Sequence, residues 1–351
     1  MLVLLAFSFL LVIHSTYATL TVEEFLSKSI PKEAEELTGE ALVEYVNKQQ
    51  QFFQAEYSAQ AEQRMQHLMR MEFDEKHEQH EGLVMESTSL KDDFDYDLPE
   101  SFDSRQKWKD CPSIRDIRDQ SNCGSCWAVS AAETMSDRAC IHSKGKFKAR
   151  LSDTDILSCC GEFCGAGCEG GISARAWLYA MQYGVCTGGY YEQEGVCKPY
   201  VFHPCGNHSG QKYYGKCPDD RSFKTPVCKQ YCQYGYGKRY KLDKVLAKAA
   251  YRVPRFEEAI QMQIMNKGPV QAAFTVYDDF SFYKTGVYVH TSGRSRGRHA
   301  VKMIGWGVQN GTKYWTIANS WNKDWGEEGF FRIVRGVDNC GIESAVVAGD
   351  F

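Results

Sequence analysis

The chain has 351 residues, enough for two folding units, with 43% hydrophobic residues and a formal net charge of −4. No basic stripe with interleaved aromatics occurs, which argues against nucleic acid as a partner. No apolar run is long enough to span a bilayer, which argues against a membrane partner.

Residues 2–13 are almost wholly apolar, and Thr16 and Ala18 are small. The pattern predicts a secretory signal over 1–18, cut after Ala18, and hence a secreted or lysosomal protein. Fifteen cysteines in such a chain predict disulfides, and the odd count leaves at least one free thiol. Residues 20–97 carry 7 Lys+Arg against 19 Asp+Glu, net −12, while residues 98–351 carry 34 against 26, net +8. An acidic front piece on a basic body predicts electrostatic attraction within the molecule, weakened by acid and by salt. Spaced apolar residues, among them Leu42, Val46, Phe53, Met65, Leu68 and Met69, predict a largely helical stretch over 33–81. The acidic run 91–97 reads as an exposed linker open to proteolysis.

Helical patterns follow at 126–142, 172–183 and 256–267. Strand-like runs come later, at Val270–Tyr277, Ala300–Trp306, Tyr314–Ala318, Phe330–Val334 and Val346–Ala348. Helices first and strands later predict a two-lobed α+β fold. Cys159, Cys160, Cys164 and Cys168 read as a disulfide knot rather than a metal site. Residues 197–232 hold five cysteines in a Pro/Gly/Tyr-rich stretch without periodicity, an insertion.

The most informative stretch is Gln-Ser-Asn-Cys-Gly-Ser-Cys-Trp, residues 120–127. A loop ends at Cys126 and a helix begins there, so the thiol feels the positive end of the helix dipole. A lowered pKa and a nucleophilic thiolate are expected. A CxxC pair alone could also be half a zinc site or a redox pair. Cys123-Gly124-Ser125-Cys126-Trp127, however, is the local signature around the nucleophile of papain-like proteases, and the chain resembles that family. His299 and Asn319 open and close strand-like runs, 173 and 193 residues after Cys126. The family spacing is about 130–150 residues, and the insertion at 197–232 accounts for the excess. The resemblance implies roles for each. Cys126 is the nucleophile, His299 its base, and Asn319 orients the imidazole. Gln120, with the backbone N–H of Cys126, forms the oxyanion hole, and Trp321 shelters the His–Asn bond.

Ser-Cys-Cys160-Gly, Cys168-Glu-Gly-Gly171, the insertion, Gly305-Trp-Gly307 and Cys340-Gly-Ile-Glu-Ser344 narrow the resemblance to cathepsin B. That family's pattern implies residues 19–97 as an inhibitory propeptide and 98–351 as the mature enzyme. It implies bridges Cys111–Cys140, Cys123–Cys168, Cys159–Cys228, Cys160–Cys164, Cys197–Cys232 and Cys205–Cys217. Gly170 and Gly171 are implied substrate-binding residues. No cofactor or metal is implied, and cystatin-type inhibitors are implied partners beside protein or peptide substrates. The stretch Tyr314–Glu327 resembles a variant found in blood-feeding worms, which implies haemoglobin as a substrate. Two departures from the family matter. Ala345 stands where cathepsin B has a Glu that accepts Arg two residues before the scissile bond, and Arg298 stands where it has Gly. Apolar side chains at that substrate position are expected, with Arg298 a cation beside His299. The paired histidines of the insertion, which bind a substrate's C-terminal carboxylate, become Asn207-His208. Asn207 can then donate only a neutral hydrogen bond to Asp119; the alternative is that other loop contacts, such as Lys212 or Lys216 with Asp324, hold the loop closed regardless. Endopeptidase activity should outweigh dipeptide release, and their ratio should depend less on pH than in an enzyme with both histidines. Asn207-His-Ser and Asn310-Gly-Thr are glycosylation sequons. Two other classes fit part of the pattern: a catalytically silent secreted binder, and an oxidoreductase cycling Cys123 with Cys126.

Overall fold

The helix Cys126–His142 is the pivot of the molecule, buried at every residue from Cys126 to Cys140. Ala128, Ala131 and Ala132 have zero exposure, and these small side chains let neighbouring backbone approach on all sides. Two of its buried charges are matched: Lys302 Nζ lies 3.0 Å from Asp137, and Arg138 donates to the carbonyls of Pro269 (2.7 Å) and Gly349 (3.0 Å). Helices Asp153–Cys159 and Ser173–Tyr183 pack on one side of it. On the other side lies the sheet, backed by the helix Glu257–Lys267. Gly268, at φ +109, ends that last helix. The structure, a computed structural model, describes residues 20–73, 84–85, 98–217 and 223–351. The apolar leader and the acidic run at 91–97 lie outside the described residues.

The large sheet runs in the order Phe53–Ala55, Tyr283–Tyr288, Phe330–Val334, Thr312–Ala318, Ser295–Gln309, Val270–Tyr277, Val346–Asp350, Ala249–Arg252, Val84–Met85. The run expected at 300–306 is the middle of a 15-residue strand, Ser295–Gln309. Its first residues are too polar to read as strand, yet they pair with Thr275–Tyr277. Asn310 and Gly311, at φ +50 and +79, make the two-residue turn into the next strand. The result is an α+β fold, with one apolar cluster under the sheet and another between the pivot helix and its helical neighbours.

The N-terminal segment is less helical than its periodicity predicts. Helices occur at Lys32–Glu35, Gly39–Gln49 and Ala59–Arg64. Phe53–Ala55 is instead a strand, antiparallel to the strand of Tyr283. Gln50 turns the chain into it by accepting from the N–H groups of Phe52 and Phe53. Leu42, Val43, Val46, Phe53 and Met65 join the cluster of Phe280, Tyr283 and Tyr288 on the body. Each such side chain contributes about 1.5–3 kcal/mol when fully buried. The described part of the expected electrostatic attraction is made of exposed pairs. Among the described residues the ion pairs to the body are Glu36–Arg294, Glu56–Lys284 and Arg70–Glu169, all with side chains more than half exposed. Such pairs are worth about 0–1 kcal/mol. Nine of the segment's 19 carboxylates lie outside the described residues.

Six disulfides brace the body: Cys111–Cys140, Cys123–Cys168, Cys159–Cys228, Cys160–Cys164, Cys197–Cys232 and Cys205–Cys217. Among the described cysteines, Cys126 and Cys186 are buried free thiols, while Cys340 is half-buried and donates from its Sγ to Asn339 Oδ1.

Candidate active site

Cys126 is the first residue of the pivot helix and is fully buried. The loop before it is fixed by the Cys123–Cys168 bridge and by a 2.8 Å hydrogen bond between Ser125 Oγ and Tyr200 OH. With Cys123 in that bridge, a redox cycle between Cys123 and Cys126 has no second thiol. The N–H of Ala300 donates to Cys126 Sγ at 3.4 Å. His299 is therefore the residue next to the one touching sulfur. Its Nε2 meets Asn319 Oδ1 at 2.7 Å, and its Nδ1 has no hydrogen-bond partner among the described residues. Trp321 stacks on the imidazole with centroids 4.8 Å apart, and Phe274 meets it edge-on. Cysteine, histidine and asparagine thus converge from the pivot helix and two adjacent strands.

Gln120 is held from three directions. Its Oε1 accepts from Ser320 Oγ at 2.7 Å, its backbone carbonyl accepts from Tyr200 OH at 2.7 Å, and its Nε2 donates to Cys123 O at 3.0 Å. Nε2 also donates to the carbonyl of His67 at 2.8 Å. His67 belongs to the N-terminal segment, which crosses the site here. Two residues on, Met69 and Arg298 exchange both backbone hydrogen bonds, each 2.9 Å. Sequence periodicity placed Met65, Leu68 and Met69 on a helix. The chain instead makes one 3-10 turn, Met65–His67, and then extends, because the strand edge at Arg298 supplies its backbone partners. His67, Met69 and Phe73 are site residues that sequence patterning missed, since nothing local marks them.

Burial reverses the expected thiol chemistry. Burial pushes Cys126 up to about 12, although the N–H groups of Ala300 and Trp127 favour the thiolate. Burial also lowers His299 to about 4, against the opposing effect of the Asn319 bond. The helix dipole is therefore outweighed, and both groups are neutral under the segment. Arg298 does not act on His299 as expected, because alternation along the strand sends the two side chains to opposite faces. Arg298 is buried and donates to Thr275 Oγ1 at 2.8 Å.

Ala345 is 1% exposed and shares an apolar cluster with Cys126, Ala273, Ala300 and the segment's Met69. Gly170, at φ +138, lies against the ring of Phe73, and a Cβ on Gly171 would come within 2.6 Å of Trp127. A side chain at either glycine would close this wall.

The insertion departs from expectation at its histidine. Asn207 is exposed and is not the partner of Asp119. His208 takes that place: its Nδ1 lies 3.1 Å from Asp324 Oδ2 and its Nε2 lies 3.6 Å from Asp119 Oδ2. The Asp324 hydrogen bond raises the His208 pKa, with help from Asp119 and against partial burial. Lys212 reaches Glu192 at 3.6 Å rather than Asp324. Both sequon asparagines, Asn207 and Asn310, are exposed.

Comparison with known proteins agrees with this geometry. A model of the papain family cysteine proteases matches residues 98–349. The chain is 47% identical to "Cathepsin B-like cysteine proteinase 1" of Haemonchus contortus, over 93% of each chain. It is 48% identical to "Gut-specific cysteine proteinase" of Caenorhabditis elegans, over 90% of this chain and 91% of that one. Among solved structures, procathepsin B S9 from Trypanosoma congolense superimposes with a TM-score of 0.73 at 34% identity, covering 90% of this chain and 98% of that one.

Proposed function

We propose that this chain, which belongs to the papain family of cysteine proteases, hydrolyses peptide bonds through an acyl-enzyme on Cys126. It is made as a zymogen whose residues 1–18 are a signal and 19–97 a propeptide. His299 takes the Cys126 proton through Nδ1 and later gives it to the leaving amine. Asn319 fixes the ring through Nε2–H. The Gln120 amide and the Cys126 N–H, which has no partner within its helix, receive the tetrahedral oxyanion. The observation that carries this is the His67 carbonyl on Gln120 Nε2, 2.8 Å away. The segment places a carbonyl on the donor that a substrate carbonyl needs. Removing it readmits water, and the thiolate–imidazolium pair can then form.

Activity should appear only after the segment is lost, with the active form beginning near Leu98. Full activity from the intact chain would overturn the proposal. Release should respond to packing more than to charge. Leu42→Ala removes about 2–5 kcal/mol of packing and should speed self-processing at least tenfold. Glu36→Gln with Glu56→Gln should change it less than about fivefold. The reverse order, read from processing time courses, would restore electrostatics as the main tie.

The substrate side chain two before the scissile bond enters the apolar cluster of Ala345, Ala273 and Ala300, where Met69 now sits. No carboxylate stands at Ala345 to match a guanidinium, and burying an unpaired charge is unfavourable. Phe-Arg and Val-Leu dipeptide substrates should exceed Arg-Arg by roughly tenfold or more in kcat/KM, a difference of about 1.4 kcal/mol in barrier. Ala345→Glu should narrow the gap, and efficient Arg-Arg cleavage by the wild type would exclude this pocket. Residues 197–232 act as an occluding loop, so that dipeptide release and endopeptidase activity coexist. The enzyme works in a secreted or lysosomal setting on dietary protein such as haemoglobin. Support for that substrate is the stretch Tyr314–Glu327 and the gut-specific relative.

A further inference from the structure

We propose that Cys186, Cys197 and Cys232 form a thiol–disulfide exchange site, in which the free Cys186 competes with Cys232 for Cys197. Strands Thr187–Gly189 and Lys198–Pro199 run parallel, with Gly188 opposite Lys198. That register sets Thr187 opposite Cys197, and the Cys197 N–H donates to Thr187 Oγ1 at 3.0 Å. Cys186 is then the residue immediately before the neighbouring strand. Cys186 Sγ, Cys197 Sγ and a carboxylate oxygen of Asp243 all lie within 4.8 Å of one another. Adjacent strands are about 4.8 Å apart, so the backbones of 186 and 197 are near the separation a disulfide spans, about 4.4–6.8 Å between Cα atoms. The two cysteines are fully buried in one small cluster with Tyr240, and Cys232 packs on its edge, half-buried. Cys197 is already bonded to Cys232. A metal would find only Cys186 and Asp243 of this trio to ligate it, so the free thiol beside an existing disulfide is the chemistry the trio offers.

The step is internally balanced. Cys186 loses its proton and its thiolate attacks Cys197 Sγ in line with the existing bond. The Cys197–Cys232 bond breaks, the Cys186–Cys197 bond forms, and Cys232 leaves as a thiolate that takes up a proton. No oxidant or reductant is consumed. The brake is the protonated state of Cys186. Burial and the carboxylates of Asp155 and Asp243 disfavour its thiolate, while Lys198 and Lys244 oppose them. Tyr236 and Tyr240 pack on the same cluster. Exchange is therefore slow in acid and accelerates in alkali. Its product unties residue 232 from the strand, while Cys159–Cys228 keeps the insertion tied to the helix Asp153–Cys159. A buried thiol is traded for one near the surface.

The test uses the full chain carrying Cys126→Ser, which prevents self-cleavage. It is incubated at pH 6 and at pH 9 without added thiol, unfolded in acid, alkylated with N-ethylmaleimide at pH 6.5 in denaturant, and mapped as non-reduced peptides. At pH 6 the label should fall on Cys186 and Cys340, with Cys197–Cys232 linked. At pH 9 at least about one chain in ten should carry a Cys186–Cys197 link with the label on Cys232 in place of Cys186, the Cys340 label being unchanged. Adding Cys186→Ser should abolish the Cys232 label. Unchanged Cys197–Cys232 linkage at both pH values overturns the proposal, as does a Cys232 label that survives Cys186→Ser. Should Cys186→Ser not fold, the map of the parent chain decides alone.

Discussion

Processed enzyme carrying Cys126→Ser should retain less than about 10⁻⁴ of the wild-type kcat/KM, and His299→Ala should fall as far, because a nucleophile and its base act as one unit. Gln120→Ala should lose about 10²–10³, the usual effect of removing one oxyanion donor. Asn319→Ala should lose less than His299→Ala, since it only orients a ring that Trp321 and Phe274 also hold. An active-site-directed epoxide should label the processed wild type once per chain and the Cys126→Ser form not at all. The intact chain should resist it. A thiol held at about 12 is ionised in roughly one molecule in 10⁵ at pH 7, and Gln120 is occupied by His67. Equal labelling of intact and processed chains would mean that the segment does not silence the thiol. More than about one per cent residual activity in Cys126→Ser would remove the acyl-enzyme route.

Local chemistry was the legible part of this site. A thiol at a helix start needs a loop-to-helix junction within a few residues, and Gln120–Trp127 writes that junction into adjacent positions. His299 and Asn319 could be found only by their order along the chain. Their meeting depends on the pairing of Lys302 with Ala318 that aligns their two strands. The ionisation of Cys126 was not legible. It is set by burial, which outweighs the helix terminus, and the residues that cross the site, 67–69, lie more than 50 positions earlier and without a motif. Periodicity failed there for a physical reason. Spaced apolar residues fit both a helix face and an extended chain lying in an apolar cleft, and the backbone partners at Arg298 decide between them. Phe53–Ala55 follows the same rule, becoming a strand because the edge at Tyr283 was open.

Removing His208 should shift the balance of cleavage modes and flatten its dependence on pH. Sequence favoured Asn207 as the partner of Asp119, and so a neutral tie indifferent to pH. The structure exposes Asn207 and seats the imidazole of His208 between Asp324 and Asp119. Around it, Asn322 Nδ2 donates to Asp119 at 2.8 Å and the N–H of Ser121 donates to the same carboxylate at 2.7 Å. The Cys205 carbonyl meets His208 Nε2 at 2.9 Å. Both carboxylates favour the imidazolium, which is why the pKa is raised. The tie is thus complete below the ordinary histidine value, about 6.5, and is lost as pH rises through the raised one. A partly exposed charge-assisted bond, discounted for screening, is worth about 1–2 kcal/mol, or roughly 5–30-fold in the loop's closed population. At pH 5, His208→Ala should therefore lower the ratio of dipeptide release to endopeptidase activity by about that factor. The wild-type ratio should fall toward the variant's above neutral pH. Asn207→His should move the ratio less, because the two carboxylates already have their partner. A ratio in His208→Ala that follows pH as the wild type does would assign the tie to another group.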